Sequence, residues 1–412
     1  MSISNYTKKI ECVCCGKQDL SIVLDLNKQP LANSYHKEDE VLEEYPLGLN
    51  LCKDCYHLQL TYIVNPDLLF KDYLYVSGTS QTLKDNFEWF ADFVIEYVAN
   101  CRWNWPNPRV QSVLDIACND GSQLDCFKKK QAIETFGIDP AENLYELSSK
   151  NHDVKCEYFD SVFFGFKFDV IIAQNVFAHN SNPKKFLDDC EEIMHDNSFL
   201  FIQTSQSDMI RNNQFDTIYH EHISFFNINS FNELVKRTGL HLVDVIKTPV
   251  HGTSYLFILH KHPMNKHKVQ NLIDVERELG LLSIKTYEDY RNRVLEIVDT
   301  FKLLVEGSGD FEEYKIVGYG AAAKGMTLLN FAQVDLDVII DDNPLKQGLL
   351  TPGRNTKISS VDILNQYKES DKILFVPLAW NFYKEIRERI KNVRDNKNDM
   401  FLKYFPRVKL EN

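Results

Sequence analysis

No stretch of the 412 residues strings together the roughly 18 apolar positions that a bilayer-spanning helix needs, and the opening MSISNYTKKIECVCC has no apolar core of a secretory signal. A membrane partner is not expected, and a cytoplasmic protein is. Basic charge is also scarce: 46 Lys and Arg face 59 Asp and Glu, a net charge of −13, which disfavours nucleic acid and anionic membranes as partners. Ten cysteines over this length are too sparse for a small disulfide scaffold, so in a reducing compartment their grouping implies metal binding or burial. H-E-x-x-H is missing, which removes a metalloprotease, and no complete G-x-G-x-x-G is present, which weakens an NAD-dependent oxidoreductase. No repeat of fixed period is present.

What is present can fill several cores: 44% of residues are hydrophobic and 12% aromatic, and the length suits two to four domains at about 100–200 residues each. The first part is turn-rich with paired cysteines. DNFEWFADFVIEYV then reads as an amphipathic helix that WNWPNPR breaks. Beyond it, VQSVLDIA, ETFGID, FDVIIAQ, NSFLFIQT and LHLVDVIKT alternate with helical stretches, the pattern of a parallel, doubly wound α/β sheet. Helical periodicity over about 266–306 leads into a second alternating region with YKIVGYG, LDVIIDD and DKILFVPL. The expected organisation is a small zinc-binding domain over 1–82, a Rossmann-like domain over 83–262, and a helical connector with a second Rossmann-like α/β domain over 263–412.

Cys12 and Cys15 repeat the spacing of Cys52 and Cys55, with residues 16–51 between the pairs. Two such knuckles can give four thiolates to one tetrahedral Zn²⁺, a closed site that folds a module rather than catalysing. Iron is a lesser alternative, and Cys14 is a spare. The run Val113–Ser122 ends an apolar strand in a glycine turn that opens a helix, where a doubly wound sheet binds a nucleotide-like ligand. Asp115, Ala117, Asn119 and Gly121 belong to it, and Asp139 ends the next strand, placed to accept hydrogen bonds from a ribose or to cap a helix. The lack of a pyrophosphate cradle favours a phosphate-free nucleoside, which S-adenosylmethionine (SAM) is. A third strand edge delivers Gln174, Asn175 and His179 to the same crevice, although His179 is as readily a packed residue.

Tyr219-His-Glu-His222 sets four hydrogen-bonding side chains between apolar flanks. In an extended segment Tyr219 and Glu221 face one way and the histidines the other; a turn gathers several into one pocket, and a plain polar strand is the bland alternative. The chemical reading is a general base near a phenol that stabilises an oxyanion. Val317–Gly325 again joins strand to helix, and its Gly318, Tyr319, Gly320, Ala321 and Lys324 suit a phosphate at a helix N-terminus. Asp341 and Asn343 after the next strand suit a ribose, or form a turn.

Together these motifs resemble the SAM-dependent C-methyltransferases that add a methyl branch at C3′ of nucleotide-linked 4-keto deoxysugars. The resemblance runs in order along essentially the whole chain: the four cysteines, Pro30-Leu-Ala-Asn-Ser34, Tyr73-Leu-Tyr-Val-Ser77, Asn119-Asp-Gly121, Asp216–His222, Gly318–Gly325, Asp341–Gly348 and Leu378-Ala-Trp-Asn381. It departs where the family's I-G-S-N-D-G reads Ile116-Ala-Cys-Asn-Asp-Gly121, its E-x-P reads Gln203-Thr-Ser205, and its H-G-G-S reads His251-Gly-Thr-Ser254. The resemblance implies His222 as the base for the C3′ proton, Glu221 and Tyr219 as its assistants at the sugar, and His179 with Tyr73 or Tyr75 lining the pocket. It also implies a TDP- or GDP-linked 4-keto deoxysugar held by the C-terminal domain. A non-catalytic nucleotide-sugar-binding or scaffold protein with a degenerate methyltransferase domain is the alternative. The chemistry has one demand: a C–H bond becomes acidic only when an adjacent ketone takes the charge, so a base and an enolate-stabilising donor must act together.

Overall fold

The computed structural model describes residues 5–70, 77–79, 81–102, 109–130, 132–205, 207–249, 253–264, 266–307 and 311–412. Tyr73, Tyr75, His251 and Gly252 lie outside them. None of the described helices is long and apolar enough to cross a membrane.

The middle of the chain forms a seven-stranded sheet in the spatial order His241–Thr248, Ser254–His260, Met194–Ser205, Phe168–Gln174, Ser112–Ile116, Glu134–Ile138, Asp153–Lys155. The last five of these run parallel, while Ser254–His260 is antiparallel to both its neighbours. Their cores are buried because helices cover both faces, which is why the strands read as continuous apolar runs rather than alternating ones. Chain order reverses between Ser112–Ile116 and Phe168–Gln174, so the turns after these two strands flank the switch point where such sheets bind ligands.

The C-terminal sheet repeats the plan in the order Ile358–Ser359, Val338–Ile340, Tyr314–Tyr319, Lys372–Pro377, Met400–Lys403, Lys409–Glu411, parallel except for the last pair. Its own reversal falls between Tyr314–Tyr319 and Lys372–Pro377, bringing Gly320–Lys324 beside Leu378–Trp380. The helical connector is two helices, Lys266–Glu278 and Ile284–Val305.

The N-terminal sheet joins Leu20–Pro30, Glu44–Cys52 and Leu58–Leu60 to a two-residue strand, Ser224–Phe225, that comes from far along the chain. Leu60 N–H also donates to the Ile223 carbonyl at 2.9 Å. The segment carrying Tyr219–His222 is thus fixed on one side by the cysteine module. On the other it runs into helix Ile228–Val235, which opens with a capping box between Asn227 and Ser230. Glu276 of the connector accepts from the Ile228 and Asn229 amides at that helix's positive end.

Candidate active site

Both cysteine knuckles close on local backbone hydrogen bonds: Gly16 N–H donates to the Cys12 carbonyl and Tyr56 N–H to the Cys52 carbonyl. Gly16 and Tyr56 adopt the left-handed φ of 75° and 60° that such tight returns need. Cys12 and Cys55 Sγ are 3.5 Å apart, as are Cys15 and Cys52, and all four sulfurs lie within 4.8 Å of one another. A tetrahedral Zn²⁺ with Zn–S of about 2.3 Å separates its sulfurs by about 3.8 Å, so the quartet fits the ion. Hydrogen bonds from neighbouring cysteines hold the Cys12 thiol far below the usual thiol range. Cys14 lies outside the quartet, and burial pushes its thiol well up.

One cavity of about 2070 Å³ opens where the three modules meet. Asp115, Ala117, Asn119, Asp139, Gln174 and Asn175 line it from the ends of the central strands. Ala117, Asn119 and Asn175 hold left-handed φ of 63°, 52° and 56°, backbone kinks at which these turns leave their strands. Asp139 ties the two strand ends together, accepting from Asn119 N–H at 2.9 Å and Ala141 N–H at 2.8 Å. Burial raises the carboxyl pKa of Asp139 and, reinforced by the charges of Asp139 and Asp120, that of Asp115. An acidic rim of this kind suits a cationic sulfonium ligand and repels a pyrophosphate. Gly121 does not line the cavity. It makes the turn beneath, with a φ of 81° and His152 only 3.1 Å from where a Cβ would sit.

Facing this rim, Tyr219, Glu221 and His222 line the same cavity from a turn. His220 points elsewhere, its Nε2 3.3 Å from the Tyr45 carbonyl. His222 Nδ1 is 2.8 Å from the Thr217 carbonyl, an acceptor only, so Nδ1 carries the proton. Nε2 therefore presents its lone pair, and the Tyr219 hydroxyl, 2.9 Å away, donates to it. The His179 ring lies 5.1 Å from that of His222 and stacks on Phe70 at 5.6 Å. Burial lowers the His179 pKa to about 4, which leaves it neutral at pH 7. Glu221 is buried, and Asn33 of the N-terminal module donates to it at 2.5 Å; burial still raises its carboxyl to about 7.

The C-terminal wall supplies Lys324, whose ammonium sits 4.7 Å over the Trp380 ring, and Asn343. Trp380 Nε1–H donates to Asp216 at 2.7 Å, across the boundary between the two α/β domains. Gly318, Tyr319, Gly320, Ala321 and Asp341 do not line the cavity. Gly318 packs closely within its sheet, since a Cβ would meet Ile339 at 2.8 Å. Gly320 has a φ of 88° against Ala379. Tyr319 donates its hydroxyl to Asp342 at 3.0 Å. Asp341 accepts from the Ala321 and Asn343 amides at 2.7 and 2.8 Å, shaping the loop. The Ala321 carbonyl takes the Tyr35 hydroxyl at 2.5 Å and Lys346 at 2.7 Å.

Asn33, Thr217, Trp380 and Gln203 were not singled out from sequence as site residues. All four did stand inside stretches quoted there, but the partners of Asn33 and Trp380 are 188 and 164 positions away, a distance no local pattern bridges.

Three family models match consecutive stretches of the chain: a zinc binding domain over 12–70, a methyltransferase domain over 88–245 and a C-methyltransferase C-terminal domain over 249–406. A relative from Streptomyces niveus, the C-methyltransferase NovU, is 26% identical over 410 residues, spanning 94% of this chain and 93% of its own length. Among solved structures, a S-adenosylmethionine-dependent methyltransferase from Clostridium acetobutylicum aligns with 42% of this chain and 90% of its own at 13% identity and a TM-score of 0.33. The plantazolicin methyltransferase BpumL in complex with SAH aligns with 44% of this chain and 88% of its own, at 16% identity and a TM-score of 0.35.

Proposed function

We propose that this chain, which belongs to the C-methyltransferase family and carries its zinc-binding, methyltransferase and C-terminal domains in order, methylates C3′ of a nucleotide-linked 4-keto deoxysugar. The observation that carries the reading is the Tyr219–His222 contact inside a cavity shared by the acidic rim and the C-terminal wall. SAM is the methyl donor, and when bound it supplies an electrophilic sulfonium methyl. Asp115, Asn119, Asp139, Gln174 and Asn175 would hold it, and the C-terminal wall with Lys324 would hold the nucleotide diphosphate.

The chain's own part is proton transfer and charge stabilisation. The Thr217 carbonyl keeps the His222 proton on Nδ1, so Nε2 can accept the C3′ proton. Tyr219 caps that lone pair in the structure. Turning its hydroxyl onto the C4′ carbonyl oxygen exposes the base and places a donor on the developing enolate in one movement. Such a donor typically contributes about 3–4 kcal/mol. Glu221, held by Asn33, and neutral His179 complete the wall and exclude water. Asp216 and Trp380 fix the C-terminal wall at a set distance, so the reactants meet near contact.

The test is incubation with SAM and TDP- or GDP-linked 4-keto-6-deoxyhexoses, read by mass spectrometry for one added methyl. His222→Ala should abolish the product while calorimetry gives an unchanged SAM affinity. A protein that binds the nucleotide sugar and never SAM would instead be a non-catalytic binding protein.

A further inference from the structure

Gln203 lies two residues before the end of strand Met194–Ser205, is wholly buried, and leaves both its amide nitrogen and its amide oxygen without a hydrogen-bond partner. It lines the central cavity, and so do three neighbours with the same deficit: Gln174 at Nε2, Asn175 at Oδ1 and Thr248 at Oγ1. Three of them stand together because Gln174 is Gln203's register partner and Asn175 N–H donates to the Gln203 carbonyl at 2.9 Å, while Thr248 faces the cavity from two strands away, opposite Ser254, which itself pairs with Ser205. Buried polar groups are paired in the great majority of folded structures, so a cluster of unmatched ones facing a cavity marks where a ligand supplies the partner.

We propose that Gln203, with Thr248, forms the subsite that selects a hydroxyl group on C2′ of the acceptor sugar, beside the Gln174 and Asn175 that face the donor. This rests on the methyl-transfer reading above. Position in the sheet assigns the subsite to the acceptor rather than to the donor's nucleoside. Asp139, at the nucleoside end, follows a strand three places from that of Gln203, or roughly 14 Å at the usual strand spacing. Charge assigns the chemical class. The unmatched atoms of the subsite are a donor and an acceptor on Gln203 and a hydroxyl on Thr248 that can act as either. None is ionised, so an ammonium or carboxylate substituent would be buried there without a counter-charge. A hydroxyl both donates and accepts, and satisfies an amide from both ends. Within the sugar, C3′ has two ring neighbours. Tyr219 serves the ketone side, which leaves C2′ for Gln203 and Thr248.

The experiment compares methyl transfer to two 4-keto-6-deoxyhexose nucleotides that differ only in having or lacking the C2′ hydroxyl. It uses the natural chain, Gln203→Met and Thr248→Val, with SAM affinity measured by calorimetry on each. The natural chain should favour the hydroxylated sugar in kcat/KM by about a hundredfold or more, as sites built to bond a hydroxyl do. Gln203→Met should bring the ratio to within a few fold of one, and Thr248→Val should lower it part of the way, with SAM affinity unchanged in both. A natural chain that accepts both sugars equally, or a Met variant that keeps the natural ratio, overturns the inference while leaving methyl transfer standing. If the natural chain methylates neither sugar on either carrier, the methyl-transfer reading falls and the subsite with it.

Discussion

Glu221 holds a proton that most glutamates have lost. Burial lifts its carboxyl from an ordinary 4.5 to about 7, against the opposing pull of the Asn33 amide. The folded chain therefore binds this proton more tightly than the unfolded chain does. Its contribution to stability is complete below about pH 4.5 and fades as the pH rises through 7. Glu221→Gln keeps the oxygen that Asn33 needs and lacks the titration. Its stability relative to the natural chain should thus climb between pH 4.5 and 7, by up to roughly 3 kcal/mol, and level off above. Urea midpoints measured from pH 5 to 8 check this, and parallel curves for the two proteins would mean that another group titrates. His179 acts in the opposite sense: burial lowers its pKa to about 4, so its contribution is complete above 6.5 and is lost as the pH falls through 4.

The elements that meet at the cavity are joined by side chains rather than by sheet. Asp216 is fully buried, and burial raises its carboxyl to about 6 while Lys324 and the Trp380 indole pull it down. Lys324 in turn is lowered by burial and held up by Asp216. Asp216→Ala would leave the Lys324 ammonium facing Trp380 with that counter-charge gone. It should cost about 1–3 kcal/mol in urea unfolding, the usual penalty for leaving a buried donor without its acceptor, whereas Asp216→Asn, which keeps an acceptor for the indole, should cost clearly less. Equal losses would show that the bond to the indole contributes nothing and that the lost charge accounts for the whole effect. This junction was not legible in sequence, since Asp216 and Trp380 each stood in a separate motif. Nor could the strand Ser224–Phe225 be read, because two residues show no alternation. The cysteine quartet could be read in full, because ligand spacing within each knuckle is local. The longer parallel strands were plain too, because burial on both faces makes continuous apolar runs, whereas the short Asp153–Lys155, Ile358–Ser359 and Met400–Lys403 and the antiparallel Ser254–His260 were not read. The glycine loop was legible as a strand-to-helix turn, but its residues differ in role: Lys324 reaches the cavity, and Gly318 and Gly320 admit close packing.

At the scale of the whole molecule, three modules build one cavity, and none supplies its wall alone. The N-terminal module brings Asn33 and Tyr35, the central domain the acidic rim and Tyr219–His222, and the C-terminal domain Lys324, Lys346 and Trp380. On the proposed reading, a molecule with a net charge of −13 would meet an anionic diphosphate with Lys324 and Lys346 of the C-terminal domain and a cationic donor with Asp115 and Asp139 of the central domain, all lining one space. Such a division requires that the carbon to be methylated lie between them, within reach of the His222 imidazole. Exchange of the C3′ hydrogen in D₂O, followed by NMR with the nucleotide sugar and the demethylated donor bound, reports on that proton alone. The natural chain should wash the hydrogen out and His222→Ala should not, whereas equal exchange in both proteins would mean that another group is the base.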